Sequence, residues 1–136
     1  TPDFSPIVKE FTNKKGADVI LDHVGAKYLM PNINSLAYAG RLVIIGVISG
    51  IKAEINLGLV MVKRQHIIGS VLRSRPVSEK GEIVAEFTRR VMPKFADGTI
   101  KPIISKVFTI DEVVEAHKMM EEDKHFGKIV LKIQDI

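Results

Sequence analysis

A chain of 136 residues with 46% hydrophobic residues is long enough to build the core of one domain, and the absence of cysteine excludes disulfides, thiolate catalysis and cysteine-ligated zinc. The net charge of +4 comes from basic doublets scattered between acidic residues, a pattern that argues against a nucleic-acid partner. The apolar runs are far shorter than the ~20 residues needed to cross a bilayer, so we expect no membrane partner and a cytoplasmic protein.

The first part of the chain predicts helix, strand, helix, strand. Residues 5–16 begin with serine-proline and end with glycine, which are typical boundaries of a helix. Continuous apolar runs within residues 18–24 and 42–47 predict two strands, because strands of a parallel sheet are covered on both faces. Between them, a buried stripe over residues 29–37 predicts a second helix that ends at Gly40.

The middle of the chain continues the same alternation. A short helix is expected over residues 56–65, and a third strand over residues 67–72. Ser78 is a suitable cap for a long helix that Gly98 ends. Pro93 lies within this helix and should kink it or loosen its last turn.

The end of the chain predicts strand, helix, strand. The strands are expected over residues 103–108 and 128–133. Thr109 and Glu112 form the pattern of a capping box, which opens a helix through about residue 122. Together the elements indicate an α/β fold with a parallel sheet, although the last two strands need not belong to the same sheet as the first three.

Glycines stand where the first two strands end. Gly25 and Gly46 fall at the carboxyl edge of the predicted sheet, where ligands of open α/β sheets bind. A residue without Cβ lets a ligand approach closely, but each glycine also fits an ordinary turn. Asp22 at the same edge is a candidate ribose binder or general base, and more often such a residue accepts hydrogen bonds from nearby backbone N–H groups.

The histidines and arginines offer less specific chemistry. The four histidines are too dispersed for a metal site, and His117 is expected to be a hydrogen-bonded core residue on the inward face of its helix. Arg73 and Arg75 follow the third strand. They are candidates for binding phosphate or carboxylate with planar guanidinium groups, and equally for ion pairs at a solvated strand end.

Four segments in order, GADVILDHVG, LAYAGRLVIIGV, NLGLVMVKRQHIIGSVLRSR and HFGKIVLKI, cover nearly the whole chain. They resemble the zeta-crystallin-like quinone oxidoreductase branch of the medium-chain dehydrogenase/reductase family. The resemblance implies that residues 1–98 are the second half of a Rossmann-type doubly wound parallel sheet without its glycine-rich loop. It implies that residues 99–136 are a strand-helix-strand segment that returns towards an absent catalytic domain.

The same resemblance implies a zinc-free, NADPH-dependent reductase that transfers hydride to quinones or related electrophilic carbonyls. A homodimer through the strand Ile67 to Arg73 is implied as well. No catalytic or metal-binding residue is expected in this chain. The residues implied to line the cofactor site are Val24, Gly25, Gly46, Val47, Val71, Leu72, Arg73 and Lys128.

A chain that starts at Thr1 and lacks a phosphate-binding loop is expected to be a segment of a larger protein. Alone it should be inactive and bind NADPH weakly, because the pyrophosphate cradle supplies much of the binding. The alternative is a noncatalytic module that associates through the exposed edge of its sheet.

Overall fold

Two parallel sheets organise the protein, whose computed structural model describes residues 3–133. The first compact unit, Thr1–Pro76, holds three strands in the order β1 (Ala17–Asp22), β2 (Leu36–Ile44), β3 (His66–Gly69). The second, Val77–Ile136, holds the strands Ile104–Thr109 (β4) and Lys128–Lys132 (β5). The α/β class with parallel sheets is therefore confirmed.

The domain boundary predicted near residue 98 concerns the intact protein and stays a prediction. The outermost residues of the two predicted domains, 1–2 and 134–136, lie outside the described range. No helix within that range is long and apolar enough to span a bilayer.

The first helix, α1 (Ser5–Phe11), carries its proline in the first turn as predicted. The Asp3 carboxylate accepts the N–H of Ser5 at 2.9 Å and so satisfies one donor at the helix start. Gly16 has a φ of +88°, the left-handed conformation expected of a glycine after a helix. β1 begins directly after Gly16, one residue before the predicted start, and ends at Asp22, two residues before the predicted end.

The second helix, α2 (Leu29–Ser35), ends earlier than the apolar stripe predicted, because the chain continues as β2 from Leu36. Leu36 is fully buried with Ile33 and Leu42 in the core of the first unit. Apolar spacing therefore found the buried positions but assigned the last of them to the wrong element. Gly40, the predicted helix end, lies inside β2.

The short helix α3 (Leu57–Val62) is confirmed, with the Asn56 side chain accepting the N–H of Leu59 at 3.0 Å. β3 was predicted to reach Leu72 but ends at Gly69. The last residue pair between β2 and β3 joins Ile44 to Gly69, so the chain beyond has no further strand to pair with there. The strand predicted to pair in a homodimer is thus shorter than expected.

In the second unit, the long predicted helix is divided into α4 (Val77–Arg90) and α5 (Met92–Ala96). The division confirms the expected effect of Pro93, which has no N–H to donate and occupies the first turn of α5. None of the side chains of α4 is buried within this unit, although its apolar stripe includes Val84 and Phe87.

The crossover from β4 to β5 runs through a short 3-10 helix, Ile110–Glu112, and α6 (Val113–Glu121). The capping box is confirmed, since the Thr109 side chain accepts the N–H of Glu112 and the Glu112 carboxylate accepts the N–H of Thr109 at 2.8 Å. The Thr109 hydroxyl also lies 3.0 Å from the same carboxylate, to which it can donate.

Candidate functional site

The candidate site is formed by two loops at the carboxyl edge of the first sheet. The first loop leaves β1 and continues into a 3-10 helix, Ala26–Tyr28, and the second leaves β2 over residues 45–51. Because β1 and β2 are parallel neighbours, both loops emerge at the same edge. This is where open α/β sheets bind ligands.

Asp22 holds the first loop. Its side chain is buried, with the residue only 3% exposed, and Oδ1 accepts the N–H groups of Val24 at 2.8 Å and Gly25 at 3.2 Å. The prediction that Asp22 is a structural acceptor is thereby confirmed. Since its carboxylate is occupied by the protein's own backbone, we assign it no part in ribose binding or proton transfer.

The two strand-end glycines allow the loops to pack against each other. Gly25 has a φ of +85°, and a Cβ there would lie 2.8 Å from the Cα of Val47. A Cβ on Gly46 would lie 2.8 Å from the carbonyl oxygen of His23. The space beside each glycine is therefore filled by the other loop, which accounts for both residues without a ligand. Their part in cofactor binding stays a prediction.

Hydrogen bonds also join the loops. The N–H of Ile45 donates to the Asp22 carbonyl at 2.7 Å, and that of Ala26 donates to the Gly50 carbonyl at 3.2 Å. The hydroxyl of Ser49 donates to the Val24 carbonyl at 2.8 Å. No local sequence pattern marks Ser49 as a bridging residue, since its partners lie 22 and 25 residues away in the chain.

A cavity of about 180 Å³ lies beside the loops, lined by Gly25, Val47, Leu29 and Lys52 among others. The sequence offered no signal for this cavity, because residues of both loops and of α2 enclose it together.

The residues predicted after β3 lie next to the end of β2. The N–H of Ser70 donates to the Ile44 carbonyl at 2.9 Å, so Val71 and Leu72 leave the sheet beside the second loop. These two residues are 53% and 52% exposed, and Arg73 follows in a turn. Seven of the eight predicted site residues thus belong to three neighbouring strand ends. Lys128 begins β5 in the second unit.

The histidine prediction was wrong for His117, which is exposed and lies next to a cavity lined by Met120 and Ile129. The helix face is apolar as expected, but nothing described in the second unit covers it at that position. Within residues 3–133 no group of three or more His, Cys, Asp or Glu side chains is placed to hold a metal ion.

Behind the site, the Lys63 side chain is half-buried beside the end of α2. Its Nζ donates to the carbonyl oxygens of Leu36 at 2.8 Å and Asn34 at 3.4 Å. Burial, and secondarily the positive charge of Lys9, holds the pKa of Lys63 below its usual 10.5.

Residues 1–131 match the family model described as zinc-binding dehydrogenase. The chain is 26% identical over 127 residues to quinone oxidoreductase-like protein 2 of Bos taurus, covering 93% of this chain and 36% of that protein. It is 29% identical over 136 residues to a 2-haloacrylate reductase of Burkholderia sp, covering 96% of this chain and 39% of that protein. A solved NAD-dependent alcohol dehydrogenase superposes with a TM-score of 0.76 at 30% identity, covering 98% of this chain and 36% of that one.

Proposed function

Because the chain belongs to the zinc-binding dehydrogenase family of medium-chain dehydrogenase/reductase enzymes, we propose that it supplies the nicotinamide side of the cofactor site in an NADPH-dependent quinone oxidoreductase. The chain spans 36% and 39% of the length of the two curated relatives compared above. The activity, substrate and partners proposed are therefore those of the whole protein.

The observation that carries this proposal is the convergence of three strand ends at one edge of a parallel sheet. Hydrogen bonds join the loop after β1 to the loop after β2. The segment after β3 begins with a hydrogen bond from Ser70 N–H to the Ile44 carbonyl at the end of β2. Val47 is 44% exposed and, with Val71 and Leu72, offers apolar surface at this edge. Such an apolar surface fits the uncharged dihydronicotinamide ring of a reduced cofactor better than it fits a phosphate.

In this proposal the backbone at Val24–Gly25 and Gly46–Val47 lines the ring, and the segment Val71–Arg73 faces its carboxamide. The role of Lys128, which begins β5 in the second unit, stays a prediction. NADPH supplies the hydride, and a quinone that takes up this hydride and a proton becomes a hydroquinone. No residue of this chain is proposed to be catalytic, and the reaction is proposed to need no zinc.

The experiment is cofactor oxidation by the whole protein, with NADPH or NADH and p-benzoquinone, followed by the absorbance of the reduced nicotinamide. Oxidation of NADPH that depends on the quinone supports the proposal. Faster turnover with NADH would contradict the cofactor assignment, and no oxidation with any quinone would contradict the substrate class.

A second candidate substrate is an activated alkene. The similarity to a 2-haloacrylate reductase favours it, since an acrylate presents an electron-poor double bond to hydride. The same assay with 2-chloroacrylate in place of the quinone separates the two. If kcat/KM is clearly higher for 2-chloroacrylate than for the quinone, activated alkenes are the substrate class instead of quinones.

We further propose that two copies of the whole protein associate along β3. Within the described residues β3 pairs with β2 alone, so its other edge is open, and Ile67 and Ile68 are each 42% exposed. Replacing Ile68 by Lys should then convert a dimer into a monomer in analytical ultracentrifugation. An unchanged dimer, or a monomeric wild type, would contradict this interface. A noncatalytic association module remains the alternative if no cofactor binds.

A further inference from the structure

The 3-10 helix after β1 begins without a cap of its own. Gly25 occupies the position before Ala26–Tyr28 and has no side chain to accept the first N–H groups of the helix. The N–H of Lys27 instead donates to Ser49 Oγ at 3.0 Å, across 22 residues of sequence. Ser49 of the second loop therefore caps the helix of the first.

The same hydroxyl also donates. Ser49 Oγ gives its proton to the Val24 carbonyl at 2.8 Å, and the backbone N–H of Ser49 donates to that carbonyl at 2.7 Å. A serine hydroxyl has one proton to donate and lone pairs to accept, so both of its hydrogen bonds can exist at once. One half-buried side chain thus binds both a donor and an acceptor of the neighbouring loop.

The regular pairing of β1 with β2 ends at Asp22 and Ile44, before either loop reaches the residues proposed to line the ring. Beyond that point backbone hydrogen bonds still join the loops, but those from Gly46 N–H to the Asp22 carbonyl and from Ile48 N–H to the His23 carbonyl are long, at 3.3 and 3.4 Å. The Ser49 side chain adds two further bonds between the loops, one on each side of Gly25.

We propose that Ser49 is a positioning residue for the nicotinamide cofactor, which sets the separation of the two loops that line the ring. This inference rests on the proposed function, since it concerns the same site. Ser49 itself does not need to contact the cofactor. Its loss should weaken binding of the cofactor while the core cluster of Ile33, Leu36 and Leu42 stays intact.

The test compares Ser49→Ala, Ser49→Thr and Ser49→Cys with wild type in the whole protein. Threonine retains the hydroxyl, and cysteine keeps the approximate size while replacing the hydroxyl by a weaker hydrogen-bonding group. Ser105→Ala is the matched control, because Ser105 is an exposed serine of β4 in the second unit. Circular dichroism establishes that each variant is folded.

Two quantities are measured. Titration of NADPH fluorescence gives the Kd, and hydrogen exchange with mass spectrometry gives the protection of residues 25–29. For Ser49→Ala we expect the Kd to rise about fivefold and exchange at Lys27 to accelerate, the scale expected for one lost capping hydrogen bond. Ser49→Cys should show a smaller rise, whereas Ser49→Thr and Ser105→Ala should match wild type.

Faster exchange at Lys27 with an unchanged Kd would overturn the inference, because Ser49 would then be a structural cap alone. The same holds if Ser49→Thr fails to restore affinity, or if Ser49→Ala does not fold and Ser49→Cys binds like wild type. If wild type binds no NADPH, the proposed function fails and the inference fails with it. That outcome is distinct, because it appears before any variant is compared.

Discussion

The ammonium group of Lys63 donates a hydrogen bond of 2.8 Å to the carbonyl oxygen of Leu36, the residue at which α2 becomes β2. Gln65 donates from Nε2 to the Ile33 carbonyl, also at 2.8 Å, in the last turn of the same helix. Carbonyls at a helix end need partners, and here two side chains from beyond α3 supply them. The end of α2 is therefore stabilised by tertiary contacts rather than by a glycine.

We expect Lys63→Met to destabilise the whole protein by about 2 kcal/mol, because a hydrogen bond from a charged donor contributes roughly 1.5–3 kcal/mol and the substitution removes the donor to two partly buried carbonyls. Urea denaturation measures the change. Lys118→Met, an exposed substitution on α6, serves as the control and should change stability by less than about 0.5 kcal/mol. Equal changes in the unfolding free energy for the two substitutions would show that the Lys63 hydrogen bonds do not stabilise the protein.

The pH dependence of the Lys63 contribution has a definite sign. Burial lowers its pKa in the folded protein below the usual 10.5, so the unfolded chain binds this proton more tightly. Stability from Lys63 therefore rises as the pH increases through the folded pKa towards the unfolded value, and it is constant below that range. The difference in unfolding free energy between wild type and Lys63→Met should be larger near about pH 10 than near about pH 7. A smaller difference at alkaline pH would contradict the lowered pKa.

The sequence predicted features whose causes are local. The division at Pro93 and the capping box of Thr109 and Glu112 depend on residues within one or two helical turns, and both are confirmed. The end of α2 was missed because Lys63 lies 27 residues from Leu36 in the chain. His117 was assigned to the core because periodicity shows which face is apolar but not whether anything covers it.

The candidate site shows the same division between local and distant causes. The role of Asp22 as a structural acceptor was predictable, since its hydrogen-bond donors, Val24 and Gly25, come only two and three residues later in the chain. The contact of Gly25 with Val47 and the bridge from Ser49 to Lys27 join two loops about 22 residues apart, and no local pattern in the sequence marks such partners.

Gly25→Ala should destabilise the protein by about 2 kcal/mol or more. The φ of +85° is unfavourable for alanine, and its Cβ would lie 2.8 Å from backbone atom Cα of Val47, which cannot move without shifting the second loop. Gly69→Ala at the end of β3 is the matched control, because no atom lies within 4 Å of its added Cβ. Thermal unfolding of the whole protein checks both variants. A Gly25→Ala protein as stable as Gly69→Ala would exclude tight packing between the two loops.

Glu112→Gln should remove the pH-dependent part of the capping box. The backbone hydrogen bond from Thr109, and then its hydroxyl, lower the pKa of Glu112 below its usual 4.5. This stabilisation is fully present above the unfolded pKa and is lost as the pH falls through the folded pKa. Wild type should therefore be more stable than Glu112→Gln at about pH 7, and the two should converge near about pH 2. Glu121→Gln at the end of α6 provides the comparison for removing one exposed carboxylate. Urea unfolding at both pH values measures these differences in stability. If wild type exceeds Glu112→Gln in unfolding free energy by the same amount in acid, the effect comes from side-chain shape and not from charge.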